Sequence, residues 1–280
     1  MASRVIALGM LEKSYLAFPH IDPILFEIGP LAIRWYALAY VAGIFLGWWL
    51  LKRLSEKSSP SLLGEKALDD IILYAIFGII LGGRLGYVLF YNPAYYANHW
   101  LDALKIWQGG MSFHGGLVGV IIAMWIFTKR FQIPYLKLTD LLAVVAPIGL
   151  FFGRIANFIN GELWGRAADV PWAMVFPTGG PEPRHPSQLY EAALEGLLLF
   201  IIMILLVNFT KIREKTGMLS GLFLLGYGFA RSFVEQYREP DEQLGFLWEG
   251  FTMGQFLSTP MILGGLFLIF YGLKKRHVAH

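Results

Sequence analysis

Long apolar runs alternate with short polar segments along the chain. The apolar runs cover roughly residues 33–51, 68–90, 109–128, 139–160, 186–208, 217–237 and 253–273. Each run is close to the ~20 residues that an α-helix needs to cross ~30 Å of hydrocarbon. The pattern therefore predicts an all-α fold, a polytopic membrane bundle of seven transmembrane helices with a small irregular outer region.

The segments outside these runs predict how the chain is divided. Residues 1–32 contain three prolines and are expected to lie along the outer surface. The longest loop, residues 161–185, is rich in proline and glycine, so turns dominate it, with room for a short strand around residues 172–176. We expect a single integral-membrane domain over residues 1–280, with the seven-helix bundle at 33–273 and a cytoplasmic tail at 274–280.

Composition supports a membrane protein and excludes several kinds of chemistry. Only 15% of the residues are charged, whereas a soluble domain has about 25%. The chain has no cysteine, which excludes disulfides, thiolate metal sites and a cysteine nucleophile. The net charge of +3 does not indicate nucleic-acid binding, because the basic residues sit in short loops. No metal site and no cofactor are predicted.

The basic residues also predict an orientation. Loops 52–67, 129–138 and 209–216 and the tail 274–280 hold 13 Lys and Arg, against 6 in the segments on the other side. Short loops rich in Lys and Arg stay in the cytoplasm. The N-terminus is therefore predicted outside and the C-terminus in the cytoplasm, as an odd number of spans requires.

Glycines spaced by four predict how the helices pack. Such pairs or triplets occur in several of the apolar runs, at Gly43–Gly47, Gly78–Gly82–Gly86, Gly115–Gly119, Gly149–Gly153 and Gly217–Gly221. Each set places a smooth stripe on one helix face, which allows two backbones to approach closely in lipid.

Polar side chains interrupt the apolar runs at one level. An arginine inside a spanning helix costs roughly 2.5 to 3.5 kcal/mol, so its presence calls for a compensating partner. Given the predicted orientation, the polar residues of six helices and the adjoining loops converge in the outer half of the membrane. This set comprises Arg34, Tyr36, Arg84, His114, Arg154, Asn157, Asn160, Glu162, Gln188, Glu191, Arg231, Glu235 and Arg238.

The intramembrane arginines each allow two interpretations. Arg231 and Glu235 are four residues apart, so they could form a structural ion pair or belong to a site. Arg84 could extend to the headgroups of the outer leaflet or bind substrate. Arg154 and Asn157 share a helix face with no acidic residue within the preceding turn, which favours a ligand anion as the partner of Arg154.

His114 is the one histidine predicted to take part in chemistry. It lies about one turn inside a span, between glycine-rich stretches, at the level of the arginines. Nearby cations favour the neutral imidazole, which can act as a base. A hydrogen-bonding histidine without catalytic function is the alternative. The chain has no Gly-x-Ser-x-Gly elbow, no His-Glu-x-x-His and no P-loop, which argues against a serine hydrolase, a zinc protease or an ATPase.

Six stretches resemble the bacterial prolipoprotein diacylglyceryl transferase family. They are residues 33–36 (Ile-Arg-Trp-Tyr), 82–87 (Gly-Gly-Arg-Leu-Gly-Tyr), 111–116 (Met-Ser-Phe-His-Gly-Gly), 153–162 (Gly-Arg-Ile-Ala-Asn-Phe-Ile-Asn-Gly-Glu), 185–191 (His-Pro-Ser-Gln-Leu-Tyr-Glu), and 231–235 (Arg-Ser-Phe-Val-Glu) with 238–240 (Arg-Glu-Pro). The resemblance extends over roughly residues 29–273.

This resemblance implies an activity and its partners. Such an enzyme transfers the diacylglyceryl group of phosphatidylglycerol to the lipobox cysteine thiol of a preprolipoprotein, which forms a thioether and releases glycerol phosphate. The implied location is the bacterial inner membrane, with the site toward the outer leaflet. The residues the resemblance marks as important are His114, Arg154, Asn157, Glu162, Arg231 and Tyr36.

We assign the polar residues on that basis. The catalytic candidates are His114 as the base, Arg154 and Arg231 as the phosphate clamp, and Glu235 as the group that orients Arg231. The substrate-binding candidates are Tyr36, Arg84, Asn157, Asn160, Glu162, Gln188 and Arg238. A transporter for an anionic lipid is the alternative, but transporters usually bind near the midplane between internal repeats, and neither feature is evident in this sequence.

Overall fold

A computed structural model of the chain describes residues 15–19, 21–29, 31–57, 61–240 and 252–274. Within these residues the chain forms eight α-helices. They are α1 (Trp35–Glu56), α2 (Glu65–Phe90), α3 (Pro93–Asn98), α4 (Phe113–Phe131), α5 (Tyr135–Ile159), α6 (Ser187–Phe209), α7 (Met218–Val234) and α8 (Met253–Lys274). Helix α6 contains a π-helical segment at Ala192–Leu198. Short 3-10 turns lie at Trp100–Leu104, Ile106–Gln108 and Ile212–Glu214.

The predicted membrane bundle is confirmed as an all-α membrane architecture. Helices α1, α2, α5, α6 and α8 are long and apolar enough to cross a membrane. Helix α7 is a shorter apolar helix of 17 residues, and α4, with 19 residues, is not among the five. Each predicted span overlaps a helix, while the count of seven spans stays a prediction. Residues 1–14, 20, 30 and 275–280 of the predicted terminal segments lie outside the described residues.

Four short strands pair near one end of the bundle. Strands β2 (Ile24–Ile28) and β3 (Leu31–Arg34) form an antiparallel hairpin that leads directly into α1. Strand β1 (Leu16–Ala17) pairs in parallel with β4 (Met174–Val175), the strand that the sequence allowed at residues 172–176. The hairpin is an element that the expectation of an irregular surface segment missed.

The buried apolar core occupies one half of the bundle. Its side chains come from the C-terminal halves of α1, α4 and α6 and the N-terminal halves of α2, α5 and α7, as with Leu54, Ile71, Phe127, Val144 and Met203. Because successive helices run in opposite directions, these halves lie together. The other ends of the same helices carry the polar residues of the sequence pattern.

Glycines bring α2 and α4 into backbone contact, as predicted. A Cβ atom on Gly78 would lie 2.9 Å from the carbonyl oxygen of Gly119, and one on Gly86 would lie 2.7 Å from the Cα of Gly115. No side chain fits there, so the two helices pack along this stripe.

The α1–α5 stripe differs from the prediction. A Cβ on Gly43 would lie 3.5 Å from the Cα of Gly149, which is ordinary contact. Gly47 and Gly153 have open space where a Cβ would be and border an apolar cavity of about 430 Å³. Close packing at these last two glycines was therefore a wrong prediction.

Candidate active site

Glu191 lies at the centre of a buried ion-pair cluster. Its side chain is fully buried in α6. Arg154 of α5 places Nε 3.2 Å from Oε2, and Arg238, just after α7, places Nη1 2.9 Å from Oε1. Arg231 of α7 donates to the same Oε1. One carboxylate thus joins three guanidinium groups from two helices and the segment that follows α7.

Arg154 therefore has a carboxylate partner, which corrects the sequence argument. The absence of an acidic residue within the preceding turn favoured a ligand anion as the partner of Arg154. Glu191 is distant in sequence and comes from another helix, so a search confined to the local helix could not find it.

Arg231 forms the ion pair with Glu235 that the spacing of four predicted. Arg231 Nη2 lies 2.9 Å from Glu235 Oε2. The carboxylate of Glu235 packs against the first turn of α8, where a Cβ on Gly254 would lie 2.5 Å from its Cδ and 2.7 Å from its Oε1. Gly254 is thus a residue of the site's surroundings that the sequence analysis missed, and only glycine fits there without displacing Glu235.

Glu195 is a third buried carboxyl group, also missed from the sequence. It lies in the middle of the π-helical segment and its side chain is fully buried. Its oxygens are 3.8 Å from Arg231 Nη1 and 4.0 Å from Arg154 Nη2. The spacing of four between Glu191 and Glu195 inside an apolar run was the signal that could have identified it.

A chain of amide and carboxylate contacts extends from Arg154 toward the loop after α5. Arg154 Nη1 is 3.5 Å from Asn157 Oδ1, and Asn157 Nδ2 donates to Glu162 Oε1 over 2.8 Å. Asn160 Nδ2 donates to the same oxygen over 3.2 Å, while Gln188 Nε2 donates to the Glu162 carbonyl over 2.6 Å. These four predicted substrate-binding residues are therefore brought together beside Arg154.

Tyr36 also lies close to this network. Its hydroxyl is 3.2 Å from that of Tyr40 on the same helix, and it interacts electrostatically with Arg154 and Glu162. Arg34 ends strand β3 just before α1 and its side chain is exposed.

Arg84 has a different environment from the other arginines. It is buried, and its guanidinium donates to carbonyl oxygens of the segment before α4, at Asp102 (2.6 Å), Ala103 (2.8 Å), Lys105 (3.3 Å), Gly109 (2.5 Å) and Gly110 (3.1 Å). These contacts hold the segment Trp100–Gln108 against α2. Its predicted contact with substrate stays a prediction.

His114 lies apart from the ion-pair cluster. It is exposed in the first turn of α4 and lines a groove of about 1200 Å³ along α2 and α4, which reaches from Asp70 to Tyr91. Among the contacts of the described residues, its ring packs on Phe113 and none joins it to the arginines. The convergence that the sequence predicted therefore holds for α1, α5, α6 and α7, while His114 opens onto the α2–α4 groove.

The loop that precedes α6 carries another histidine, His185. His185 Nδ1 is 3.0 Å from the Tyr190 hydroxyl, which accepts a 2.6 Å hydrogen bond from Trp172. Burial lowers the pKa of His185 below its ordinary value, so the ring is neutral at neutral pH. In the described part of the chain no group of three or more His, Asp or Glu could hold a metal ion.

Exposure separates the two kinds of charge in the cluster. The side chains of Glu191 and Glu195 are 0% exposed, whereas those of Arg154 and Arg231 are 19% and 14% exposed. The carboxylates therefore hold the guanidinium groups from the buried side and leave part of each accessible. Such an arrangement suits an anion with several oxygens, because guanidinium groups bind phosphate and carboxylate in a bidentate manner.

In comparison with known proteins, the chain matches one family of transferases over most of its length. The family model described as prolipoprotein diacylglyceryl transferase matches residues 23–271. The phosphatidylglycerol–prolipoprotein diacylglyceryl transferase of Rhodospirillum rubrum is 56% identical over 265 residues, which cover 94% of this chain and 97% of that protein. The enzymes of the same name from Paramagnetospirillum magneticum (93% and 97% covered) and Allorhizobium ampelinum (91% of each) are 56% and 57% identical.

Proposed function

This chain belongs to the prolipoprotein diacylglyceryl transferase family, and from that membership we infer that it performs the first step of lipoprotein maturation. It is a transferase that moves the diacylglyceryl group of phosphatidylglycerol to the thiol of a prolipoprotein cysteine. The sulfur forms a thioether with the glyceryl carbon, and glycerol phosphate leaves. The chain has no cysteine of its own, so the acceptor supplies the sulfur.

The observation that carries the assignment of the site is the accessible edge of Arg154 and Arg231. Both guanidinium groups are anchored on Glu191 and remain 14–19% exposed among apolar helices. We propose that they bind the phosphate of the lipid and stabilise the charge that develops on it as the carbon–oxygen bond breaks. A preorganised pair needs no rearrangement at that step, which is the main advantage of electrostatic stabilisation by an enzyme.

The neighbouring polar network is proposed to recognise the glycerol headgroup. Asn157 and Asn160 both donate to one oxygen of Glu162, which fixes the carboxylate and the two amides relative to Arg154. Carboxylate and amide groups accept and donate hydrogen bonds to hydroxyl groups, such as those of a glycerol. Tyr36 and Gln188 lie beside this network. Tyr36 interacts electrostatically with Glu162, and Gln188 donates a hydrogen bond to the Glu162 backbone carbonyl.

His114 is proposed to assist removal of the thiol proton. A cysteine thiol has an ordinary pKa of about 8.5, so a base accelerates formation of the thiolate at neutral pH. Because His114 is exposed on the α2–α4 groove, an acceptor peptide could approach it from the lipid side. Direct transfer then requires the acceptor thiol to extend from this groove to the glyceryl carbon beside the bound phosphate.

The membrane placement follows from the loops. The chain is a multi-pass inner-membrane protein, and we propose seven spans with the N-terminus outside. Loops 52–67, 129–138 and 209–216 and the tail 274–280 hold 13 of the 19 Lys and Arg that lie outside the apolar runs, which favours the cytoplasm for these segments. The arginine cluster would then face the outer leaflet.

The experiment is transfer by the purified full-length chain in phosphatidylglycerol vesicles, with a lipobox peptide as acceptor. Thioether product and glycerol phosphate should appear together, and glycerol phosphate release should require the peptide. A peptide whose cysteine is replaced by serine is the matched control and should give neither product. Glycerol phosphate released in an amount equal to the enzyme, without peptide, would contradict direct transfer and indicate a covalent lipid–enzyme intermediate.

A further inference from the structure

Of the three glutamates in the ion-pair cluster, Glu195 lies farthest from the arginine nitrogen atoms. Glu191 has arginine nitrogen atoms within 3.2 Å, and Glu235 has one at 2.9 Å. The nearest cationic nitrogens to Glu195 are 3.8 and 4.0 Å away, and neither of its oxygens has a hydrogen-bond partner within the described residues. Burying an ionised carboxylate without hydrogen bonds is costly, whereas its protonated form is neutral.

The groups around Glu195 are few and can be named. From its own helix it faces Glu191; from α5, Arg154; from α7, Tyr227 and Arg231. Arg238, which follows α7, also interacts electrostatically with Glu195. Glu235 forms an ion pair with Arg231. Helix residues Leu199–Phe209, which continue α6, bring no titratable side chain.

The ionisation state of Glu195 determines the net charge of the cluster. The three arginines carry three positive charges, and Glu191 with Glu235 carries two negative charges. The cluster is therefore neutral when Glu195 is ionised and carries one positive charge when Glu195 is protonated. A phosphodiester such as that of phosphatidylglycerol carries one negative charge, which matches the protonated form of the cluster.

We propose that Glu195 holds a proton while the lipid phosphate is bound, so that headgroup binding takes up one proton at this buried carboxyl group. The π-helical segment Ala192–Leu198 fits this role, because such widened turns recur at functional sites. Glu195 is then a further residue of the site, which adjusts the cluster's charge to a monoanionic headgroup. This inference rests on the proposed binding of phosphate at Arg154 and Arg231.

A pH dependence of lipid binding follows by linkage. The protonated carboxyl favours the bound state, so affinity is highest at low pH and falls as rising pH removes the proton from the free protein. Uptake of one proton limits the change to about tenfold in the dissociation constant per pH unit.

The test is the affinity of the purified full-length chain in phosphatidylcholine nanodiscs for short-chain phosphatidylglycerol, between about pH 6 and about pH 9. Wild type should bind more weakly as pH rises. Glu195→Gln, which keeps the shape but cannot ionise, should lose this dependence and retain the low-pH affinity. The exposed control Glu182→Gln should behave as wild type.

Calorimetry in two buffers of different ionisation enthalpy counts the protons directly and does not depend on a variant folding. In the pH range where its affinity falls, wild type should take up one proton on binding, and zero uptake in that range would overturn the inference. An unchanged pH dependence in Glu195→Gln would also overturn it. If Arg154→Lys binds the lipid as wild type does, the phosphate lies elsewhere, and the proposed site and this inference both fall. If Arg154→Lys abolishes binding but wild type takes up no proton when it binds the lipid, only the role of Glu195 is refuted.

Discussion

Replacing Gly254 with alanine should move Glu235 away from Arg231. The added Cβ would lie 2.5 Å from the Cδ of Glu235, whereas carbon atoms prefer about 3.5 to 4.0 Å. The carboxylate must retreat by roughly 1 Å, which would lengthen its 2.9 Å contact with Arg231 toward 4 Å. Breaking a buried ion pair costs about 3 to 5 kcal/mol, and lengthening this one should lose part of that, so we expect a roughly tenfold to hundredfold loss of transfer rate.

The assay is thioether formation in phosphatidylglycerol vesicles, with thermal unfolding measured in parallel. Gly264→Ala is the matched control, because Gly264 lies on the same helix with nothing within 4 Å of its would-be Cβ. Alanine in a helix gains about 1 kcal/mol over glycine, so this control should be fully active and slightly more stable. Equal rates in the two variants would refute the view that Glu235 must be held against Arg231.

The remaining predictions concern packing, orientation and the base. Gly119→Ala should destabilise the protein by about 1 to 3 kcal/mol because the added Cβ would clash with the backbone of α2. Gly149→Ala should not destabilise it, because the space around that Cβ is open. Thermal unfolding of the two variants in detergent measures the difference. Reporter fusions should place residue 213 in the cytoplasm and the loop 161–185 outside, and the reverse result would contradict the orientation. His114→Gln should regain rate as pH rises toward the thiol pKa, because hydroxide then supplies the thiolate; a profile parallel to wild type would leave His114 with a positioning role only.

The sequence predicted those parts of the structure that depend on local pattern. Apolar runs indicated each large helix because length and hydropathy decide whether a helix suits a bilayer. The spacing of Gly78, Gly82 and Gly86 predicted a packed helix face, and a spacing of four predicted the pair Arg231–Glu235. These features are visible within one helix.

The rest of the site depends on contacts between distant segments. The pairing of Arg154 with Glu191 joins α5 to α6, and no local rule connects them. The burial of Arg84 against carbonyls beyond residue 100 likewise required the fold of the segment before α4. His114 was predicted at the same membrane depth as the arginines, but it faces another side of the bundle. The depth of a residue in the membrane does not determine which side of the bundle its side chain faces.

The central claim, that Arg154 and Arg231 bind the lipid phosphate, is tested most directly by the dissociation constant for phosphatidylglycerol of Arg154→Lys. Lysine keeps the charge but not the planar fork that contacts Glu191 and that we propose also binds the phosphate. Arg130→Lys, at an exposed position near the end of α4, is the matched control. We predict that Arg154→Lys weakens binding at least tenfold, about 1.4 kcal/mol, while Arg130→Lys binds as wild type. Equal affinity in the two variants would contradict the account.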